Sequence, residues 1–268
     1  MANRVIEKFK ALERSKQKGF IAYIAAGDPD FEVTRNLVIE FDRIGVDIVE
    51  LGVPFSDPLA DGVVNQRAAE RALKRGATLR KVLATVRKIR EVSEIPIILF
   101  TYFNPLHHMG VEQFVAEAHD CGVDGALVLD LPPEESGEYK PLMDMKGLCT
   151  VYLLAPTSTD ERIDLISRHS TGFIYYVSRE GVTGFQERLA GGVVSMVAKI
   201  RTRSGSPVAV GFGISTPQLA SEAAAYADAV VVGSAIVKKI EECGDSPEIV
   251  QKVSPFVAAL VKAVKGRK

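Results

Sequence analysis

Eight short apolar runs alternate with longer amphipathic segments along the whole chain. The runs are rich in Val, Ile, Leu and aromatic residues and are apolar at nearly every position, which is typical of parallel strands buried on both faces. The segments between them carry apolar residues at helical spacing, such as Leu37, Val38 and Phe41 within 31–44. The eight runs span 20–25, 47–51, 96–101, 125–129, 149–154, 173–177, 207–211 and 229–232.

This alternation predicts an α/β fold with a parallel sheet. Eight units favour a closed (β/α)8 TIM barrel over its rival, an open doubly wound sheet. At the start of the chain, Ile6, Phe9 and Leu12 share one face of an extra helix that could cover an end of the barrel. No linker rich in Gly, Ser or Pro interrupts the pattern, so we expect one domain over 1–268. Further helices are predicted over 79–92, 111–121, 134–145, 160–169, 191–203 and 218–226.

The composition excludes several classes of protein. The formal net charge of -1 shows no excess of Lys and Arg, which argues against a nucleic-acid-binding surface. No apolar run approaches the roughly 20 residues needed to span a bilayer, and the charged start does not resemble a secretory signal. Cys121, Cys149 and Cys243 are odd in number and widely spread, so we expect a reducing compartment and a cytoplasmic location.

Glu50 is the first candidate for chemistry, because barrel enzymes place their active sites at the carboxyl ends of the strands. It lies almost at the end of the second run, among apolar neighbours. Desolvation there raises a carboxyl pKa and suits the group to general acid-base work. A structural acid, paired with a buried Arg or with backbone amides, is an equally good interpretation from position alone.

Asp61 is the second candidate. It lies in a long connection, 54–62, that directly follows Glu50, and long connections of this kind often carry function. Asp57 in the same connection is better interpreted as a turn residue, since Asp is common in turns.

Glycine-bearing connections follow the sixth, seventh and eighth runs, at 181–184, 211–215 and 233–236. Barrels frequently bind phosphate with the connections after strands seven and eight and the N-terminus of a short extra helix. The segment 234–240 is typical of such a helix, and a second helix is predicted from Pro247. The pattern therefore predicts a phosphate site.

Other chemistries find no support in the sequence. The four histidines show no metal-ligand spacing with Cys or carboxylates, so we expect no metal site. No serine-hydrolase, dinucleotide-binding or P-loop motif occurs.

The segment 50–62, ELGVPFSDPLADG, resembles the signature of the tryptophan synthase α family. Segments 26–29, 178–184, 211–215 and 233–237 follow in that family's order, so the resemblance covers nearly the whole chain. The long acidic segment is highly specific, whereas the glycine connections are shared with other phosphate-binding barrels.

The resemblance implies retro-aldol cleavage of indole-3-glycerol phosphate to indole and glyceraldehyde 3-phosphate, within tryptophan biosynthesis. Glu50 matches the general acid-base that protonates indole C3, Asp61 matches the carboxylate that faces the indole N–H, and Tyr175 matches a tyrosine near the glutamate. Thr183 is expected near the phosphate, where it meets Asp61 in a closed form. Residues that match the indole pocket are Tyr23, Phe100, Leu127 and Phe212. Residues that match the phosphate-binding positions are Gly184, Gly213, Gly233 and Ser234.

The resemblance also implies a partner. The family needs no cofactor of its own and pairs, in an α2β2 heterotetramer, with a pyridoxal-phosphate β subunit that receives indole through a tunnel. The chain departs from the family where Val63, Val64 and Asn65 replace a proline and then, two positions on, an aliphatic residue. We expect a looser connection over 54–65 and an amide in place of an apolar pocket wall. Three alternatives stay open: a regulatory subunit with little chemistry that activates a β subunit, another phosphate-binding isomerase or aldolase, and a stand-alone lyase.

Overall fold

The eight predicted strands close into a parallel barrel. The computed structural model describes residues 2–177, 192–211 and 213–266. Each strand pairs with the next along the chain, and the last pairs with the first, as the sequence pattern predicts. The strands are β1 Gly19–Ala25, β2 Ile48–Gly52, β3 Ile97–Thr101, β4 Gly125–Val128, β5 Cys149–Leu154, β6 Ile174–Val177, β7 Val208–Gly211 and β8 Ala229–Val232.

Twelve α-helices surround the barrel in the described part of the chain. Asp30, Thr78, Thr159 and Thr216 begin four of them by accepting a hydrogen bond from the backbone of the first turn. The helices are α1 Arg4–Ser15, α2 Phe31–Arg43, α3 Val63–Lys74, α4 Leu79–Arg90, α5 Phe103–Met109, α6 Val111–Cys121, α7 Tyr139–Met145, α8 Asp160–His169, α9 Gly192–Arg203, α10 Pro217–Ala224, α11 Ser234–Cys243 and α12 Ile249–Lys265. None of these helices is long and apolar enough to cross a membrane.

Strand register decides which side chains point into the barrel. Partners in neighbouring parallel strands point to the same side, so Tyr23 and Glu50 share one interior level. Gly52, Phe100 and Leu127 share the next level towards the carboxyl ends. The alternate residues face outward and pack against the helices in the main apolar core. Among them are Ala22, Ile24, Val49, Leu51, Ile97 and Leu99.

Helix α1 covers the amino-terminal end of the barrel, as predicted. Phe9 and Leu12 are buried against the barrel interior, together with Val5, and Ile6 packs there while partly buried. The Phe9 and Phe173 rings lie 5.6 Å apart. The amino-terminal end is therefore closed, which leaves the carboxyl end of the barrel for ligands.

Three sequence-based expectations about elements were wrong. The connection after β2 is long, as expected, but it ends at Gly62 and not at Asn65, because helix α3 begins at Val63. The predicted helix over 134–145 is a single 3-10 turn, Pro133–Glu135, followed by α7. Helix α5 was not predicted at all. The expectation of a single domain over 1–268 stays a prediction.

Candidate active site

Glu50 is the most deeply buried ionisable group at the carboxyl end of the barrel. Its side chain points inward from β2 and is 0% exposed. Neither carboxyl oxygen has a hydrogen-bond partner among the described residues, so the alternative of a structurally paired acid finds no support. Burial raises the pKa of Glu50 to about 8. The group is therefore protonated near neutral pH and poised to give up its proton.

Two tyrosines flank Glu50, the buried Tyr23 and the partly buried Tyr175. Burial raises the pKa of Tyr175 well above its ordinary value, and the charge of Glu50 adds to this effect. Glycine makes room for both rings, because a Cβ on Gly52 would lie 2.5 Å from the Tyr23 hydroxyl oxygen and one on Gly211 would overlap the Tyr175 hydroxyl. The two glycines therefore set where these rings lie beside the carboxyl.

Asp61 lies just outside the barrel mouth and is held by Tyr102. The Tyr102 hydroxyl donates to Asp61 Oδ2 at 2.9 Å and accepts from the Ala60 backbone N–H at 3.0 Å. Burial raises the pKa of Asp61, while hydrogen bonds from Tyr102 and Asn65 lower it. Sequence analysis missed Tyr102, although its place directly after β3 was a usable signal.

Both carboxyls lie near the same ring. Burial raises the pKa of Tyr23 well above its ordinary value, and the charges of Asp61 and then Glu50 add to it. Tyr23 packs edge-on against Phe100, with ring centroids 5.0 Å apart. Leu127 pairs with Phe100 across the strands and is buried in the same interior. The structure thus brings the two predicted catalytic carboxyls and four predicted pocket residues, Tyr175 included, to one end of the barrel.

Helix α3 carries Asn65 to the same place. Asn65 Nδ2 lies 3.5 Å from Asp61 Oδ1, and the neighbouring Gln66 holds the Asp61 backbone carbonyl at 2.8 Å. Asn65 Oδ1 is buried without a partner among the described residues. The amide predicted to replace an apolar wall therefore lies beside the carboxyl of Asp61.

A cleft of about 520 Å³ opens next to this site, between α11, α12, the start of α3 and the connection before α10. Gly213 and Ser234 line it together with Ser215 and Val64. Gly233 directly precedes the first turn of α11, whose free backbone N–H groups favour an anion. The predicted short helix after β8 is thus present, and it begins where the sequence placed the phosphate.

Three predicted site residues, Thr183, Gly184 and Phe212, lie outside the described residues. Their roles stay predictions.

An ion-pair network that the sequence did not reveal ties α3 to α11. Arg71 binds both oxygens of the buried Asp28 at 2.8 Å and also reaches Glu241 at 2.8 Å. Arg67 binds the two oxygens of Glu241 at 2.8 and 2.9 Å. The helix that follows Asp61 is therefore fixed to the helix that begins at Ser234.

No cluster of His, Cys, Asp and Glu able to hold a metal ion occurs within the described ranges. The three cysteines are all free.

Comparison with known proteins identifies the family. A family model described as tryptophan synthase alpha chain matches residues 9–265. The tryptophan synthase alpha chain of Geotalea daltonii is 50% identical over 257 residues, covering 96% of this chain and 97% of that protein. That of Opitutus terrae is 48% identical over 264 residues, covering 98% and 99%.

Solved structures agree with this result. Tryptophan synthase subunit alpha from Legionella pneumophila superposes with a TM-score of 0.89 at 36% identity, covering 98% of this chain and 99% of that one. A chain of Mycobacterium tuberculosis tryptophan synthase gives 0.90 at 31% identity, covering 99% of both. These matches favour the tryptophan synthase α family over the other phosphate-binding barrels that the sequence left open. The chain therefore belongs to the tryptophan synthase alpha chain family.

Proposed function

We propose that this chain is a carbon–carbon lyase that cleaves indole-3-glycerol phosphate to indole and glyceraldehyde 3-phosphate. The observation that carries the proposal is the carboxyl of Glu50, which is fully buried, unpaired among the described residues and raised in pKa to about 8. A proton donor with this pKa suits an acid-base step near neutral pH.

The proposed reaction balances through two proton transfers. Glu50 gives a proton to indole C3, which becomes tetrahedral while positive charge spreads to the ring nitrogen. The bond from C3 to the glycerol carbon then breaks, its electrons return to the ring, and the hydroxyl on that carbon gives its proton to the Glu50 carboxylate as the aldehyde forms. An ionised Asp61 facing the ring N–H stabilises the positive intermediate.

The pocket and the phosphate site are proposed to fix the substrate at its two ends. The ring would be enclosed by Tyr23 and Leu127, which are buried at the barrel mouth, and by Phe100 and Tyr175, which are partly buried there. Gly213, Gly233 and Ser234 would offer backbone N–H groups and a helix end to the phosphate. Binding energy at the phosphate holds the reacting bond in place.

We infer that the chain works as the α subunit of an α2β2 complex in the cytoplasm. Leu59 and Val63 are large apolar side chains exposed beside the site, at 93% and 62%, which suits a surface that meets another protein. Proton transfer by side chains needs no cofactor on this chain, so pyridoxal phosphate is expected only in the β subunit. The resemblance to the family supports both inferences.

Substitution Glu50→Gln tests the proposed function. It keeps the shape of the side chain and removes its acidic proton, so we expect kcat for indole release to fall at least about 100-fold, while an unreactive phosphorylated indole still binds. Indole release is measured with and without a β subunit from the same source. Near-normal turnover of the variant would remove Glu50 from the mechanism, and a wild-type chain that only activates the β subunit would support the regulatory alternative.

Substitution Ser234→Asp tests the phosphate end. A carboxylate at the first turn of α11 should repel the substrate phosphate. We expect a large rise in KM for the phosphorylated substrate and little change in the affinity for free indole. Unchanged KM would place the phosphate elsewhere.

A further inference from the structure

Asn65 Oδ1 is a buried hydrogen-bond acceptor that the described residues leave unpaired. Leaving such a group without a partner costs about 1–3 kcal/mol, so most buried polar atoms in folded proteins are paired. Glu50, the other unpaired carboxyl or amide group at the barrel mouth, has a role in the proposed reaction. Asn65 has none so far.

The hydrogen bonds around Asn65 fix which way its amide faces. Its Nδ2 lies 3.5 Å from Asp61 Oδ1. Rotating the amide by half a turn would set its oxygen against the carboxylate oxygen, with no proton between two acceptors. The nitrogen therefore faces Asp61, and the oxygen, on the same carbon, stays available beside that carboxylate.

Asn65 lies on the buried face of α3. Ala68, Ala69 and Ala72 follow it at helical spacing and are all buried. Ala68 packs with Tyr23 and other residues at the barrel mouth. Asn65 is partly buried at the start of this face, with its amide oxygen fully buried.

We propose that Asn65 is a specificity-determining residue whose amide oxygen accepts a hydrogen bond from the ring N–H of the substrate, beside Asp61. The inference rests on the proposed function, because it needs an indole ring whose N–H faces Asp61. The two side chains then present adjacent acceptors, one charged and one neutral, and an aromatic ring without an N–H leaves the amide oxygen unpaired and Asp61 with only its donors Tyr102 and Asn65. A site built to pair a donor rejects an analogue that lacks it.

Two unreactive ligands test the proposal by calorimetry. One is indole with a three-carbon phosphate chain at C3, and the other is its benzothiophene counterpart, in which sulfur replaces the ring N–H. We expect wild type to bind the indole ligand more tightly. The Kd ratio is the Kd of the benzothiophene ligand divided by that of the indole ligand. In Asn65→Leu this ratio should fall about 3- to 10-fold, which corresponds to the loss of one neutral hydrogen bond.

A second background separates direct contact from an effect through Asp61. In Asp61→Ala, adding Asn65→Leu should again lower the Kd ratio, because the amide oxygen acts on the ring itself. If the ratio falls only when Asp61 is present, Asn65 merely positions that carboxylate and the proposal is overturned. Asn65→Ala serves in place of Asn65→Leu if the larger side chain prevents folding.

Gln66→Leu is the matched control. Its amide also binds Asp61, but at the backbone carbonyl and from an exposed position. Loosening of the connection should therefore weaken both ligands equally and leave their ratio unchanged. An unchanged ratio in Asn65→Leu overturns the proposal while the proposed function stands. A wild-type chain that binds neither ligand refutes both.

Discussion

At the scale of single residues, the site keeps two carboxyls in surroundings that disfavour their charge. Glu50 has no compensating donor among the described residues, whereas Asp61 receives one from Tyr102. Burial raises the pKa of both groups, but for Asp61 the hydrogen bonds from Tyr102 and Asn65 oppose that rise, so Glu50 stays protonated and Asp61 is assisted towards the ionised form. The assignment of one acid and one carboxylate follows from these contacts.

Glu50→Gln should become more stable relative to wild type as pH rises. The folded carboxyl has a pKa of about 8, against its ordinary value of 4.5. Between these values the unfolded chain loses a proton that the folded chain keeps, so wild type loses about 1.4 kcal/mol of stability per pH unit at this residue. The stability that the protonated carboxyl contributes is fully present below pH 4.5 and is lost above about pH 8. Urea unfolding of both proteins at pH 5, 6.5 and 8 checks it, and a constant difference across that range would contradict it.

Tyr102→Phe should shift the acid limb of the kcat/KM profile to higher pH. The lost hydroxyl no longer donates to Asp61 Oδ2, so the pKa of Asp61, already raised by burial, rises further. Activity that needs an ionised Asp61 is then lost at a higher pH. Tyr139→Phe is the control, since its buried hydroxyl has no partner in the described part of the chain. An unmoved limb in Tyr102→Phe would mean that Asp61 does not need this donor.

At the scale of elements, sequence periodicity found all eight strands but not every helix. The strands are continuous apolar runs, which is a strong signal. Helix α3 was not predicted because its buried face is made of alanines, which give only a weak apolar stripe. These alanines are Ala68, Ala69 and Ala72. Helix α5 is only seven residues long and contains Pro105. Glu50 and Asp61 could be predicted because they lie at the end of β2 and in the connection after it. The roles of Tyr102, Asn65 and the α3–α11 ion pairs depend on contacts that no local sequence pattern encodes.

Arg71→Met should destabilise the fold and weaken binding at the phosphate cleft. The substitution leaves Asp28, which is 3% exposed, buried without its bidentate partner, and it removes one of the two arginines that bind Glu241 and tie α3 to α11. Because Arg71 is itself about one-third exposed, we expect a loss of about 2 kcal/mol, below the 3–5 typical of fully buried pairs. Arg75→Met is the matched control, since its exposed pair with Asp245 should be worth less than about 1 kcal/mol. Equal losses in urea unfolding would show that the α3–α11 network has no special role.

At the scale of the whole molecule, the two ends of the barrel differ in how their buried carboxyl groups are paired. At the amino-terminal end, Asp124 is buried and bound by both Arg90 and Arg4. At the carboxyl end, Glu50 and the amide oxygen of Asn65 are unpaired within the described ranges. One end is thus arranged for stability and the other for a ligand, as expected of barrel enzymes.

The isolated chain is expected to be a slow lyase that a β subunit activates, and Val63→Pro tests what limits it. Val63 is the first residue of α3, preceded by Gly62 with an extended ψ of 159°. Proline fits this position, because its fixed φ suits a helix start and the residue before it is already extended. We expect the variant to gain about 0.4–1 kcal/mol in stability by restricting the unfolded chain.

The same change should hold the connection that carries Asp61 closer to its working form, so the basal rate of indole release rises and the factor of activation by the β subunit shrinks. A tenfold activation requires only about 1.4 kcal/mol of preferential binding to that form, which an interface readily supplies. Val63→Ala, which leaves φ free, is the matched control. Indole release is measured for wild type and both variants over a titration of β subunit. Equal rates with and without saturating β subunit in wild type would refute gating by the partner, and a Val63→Pro chain with unchanged basal rate would show that the start of α3 does not limit it.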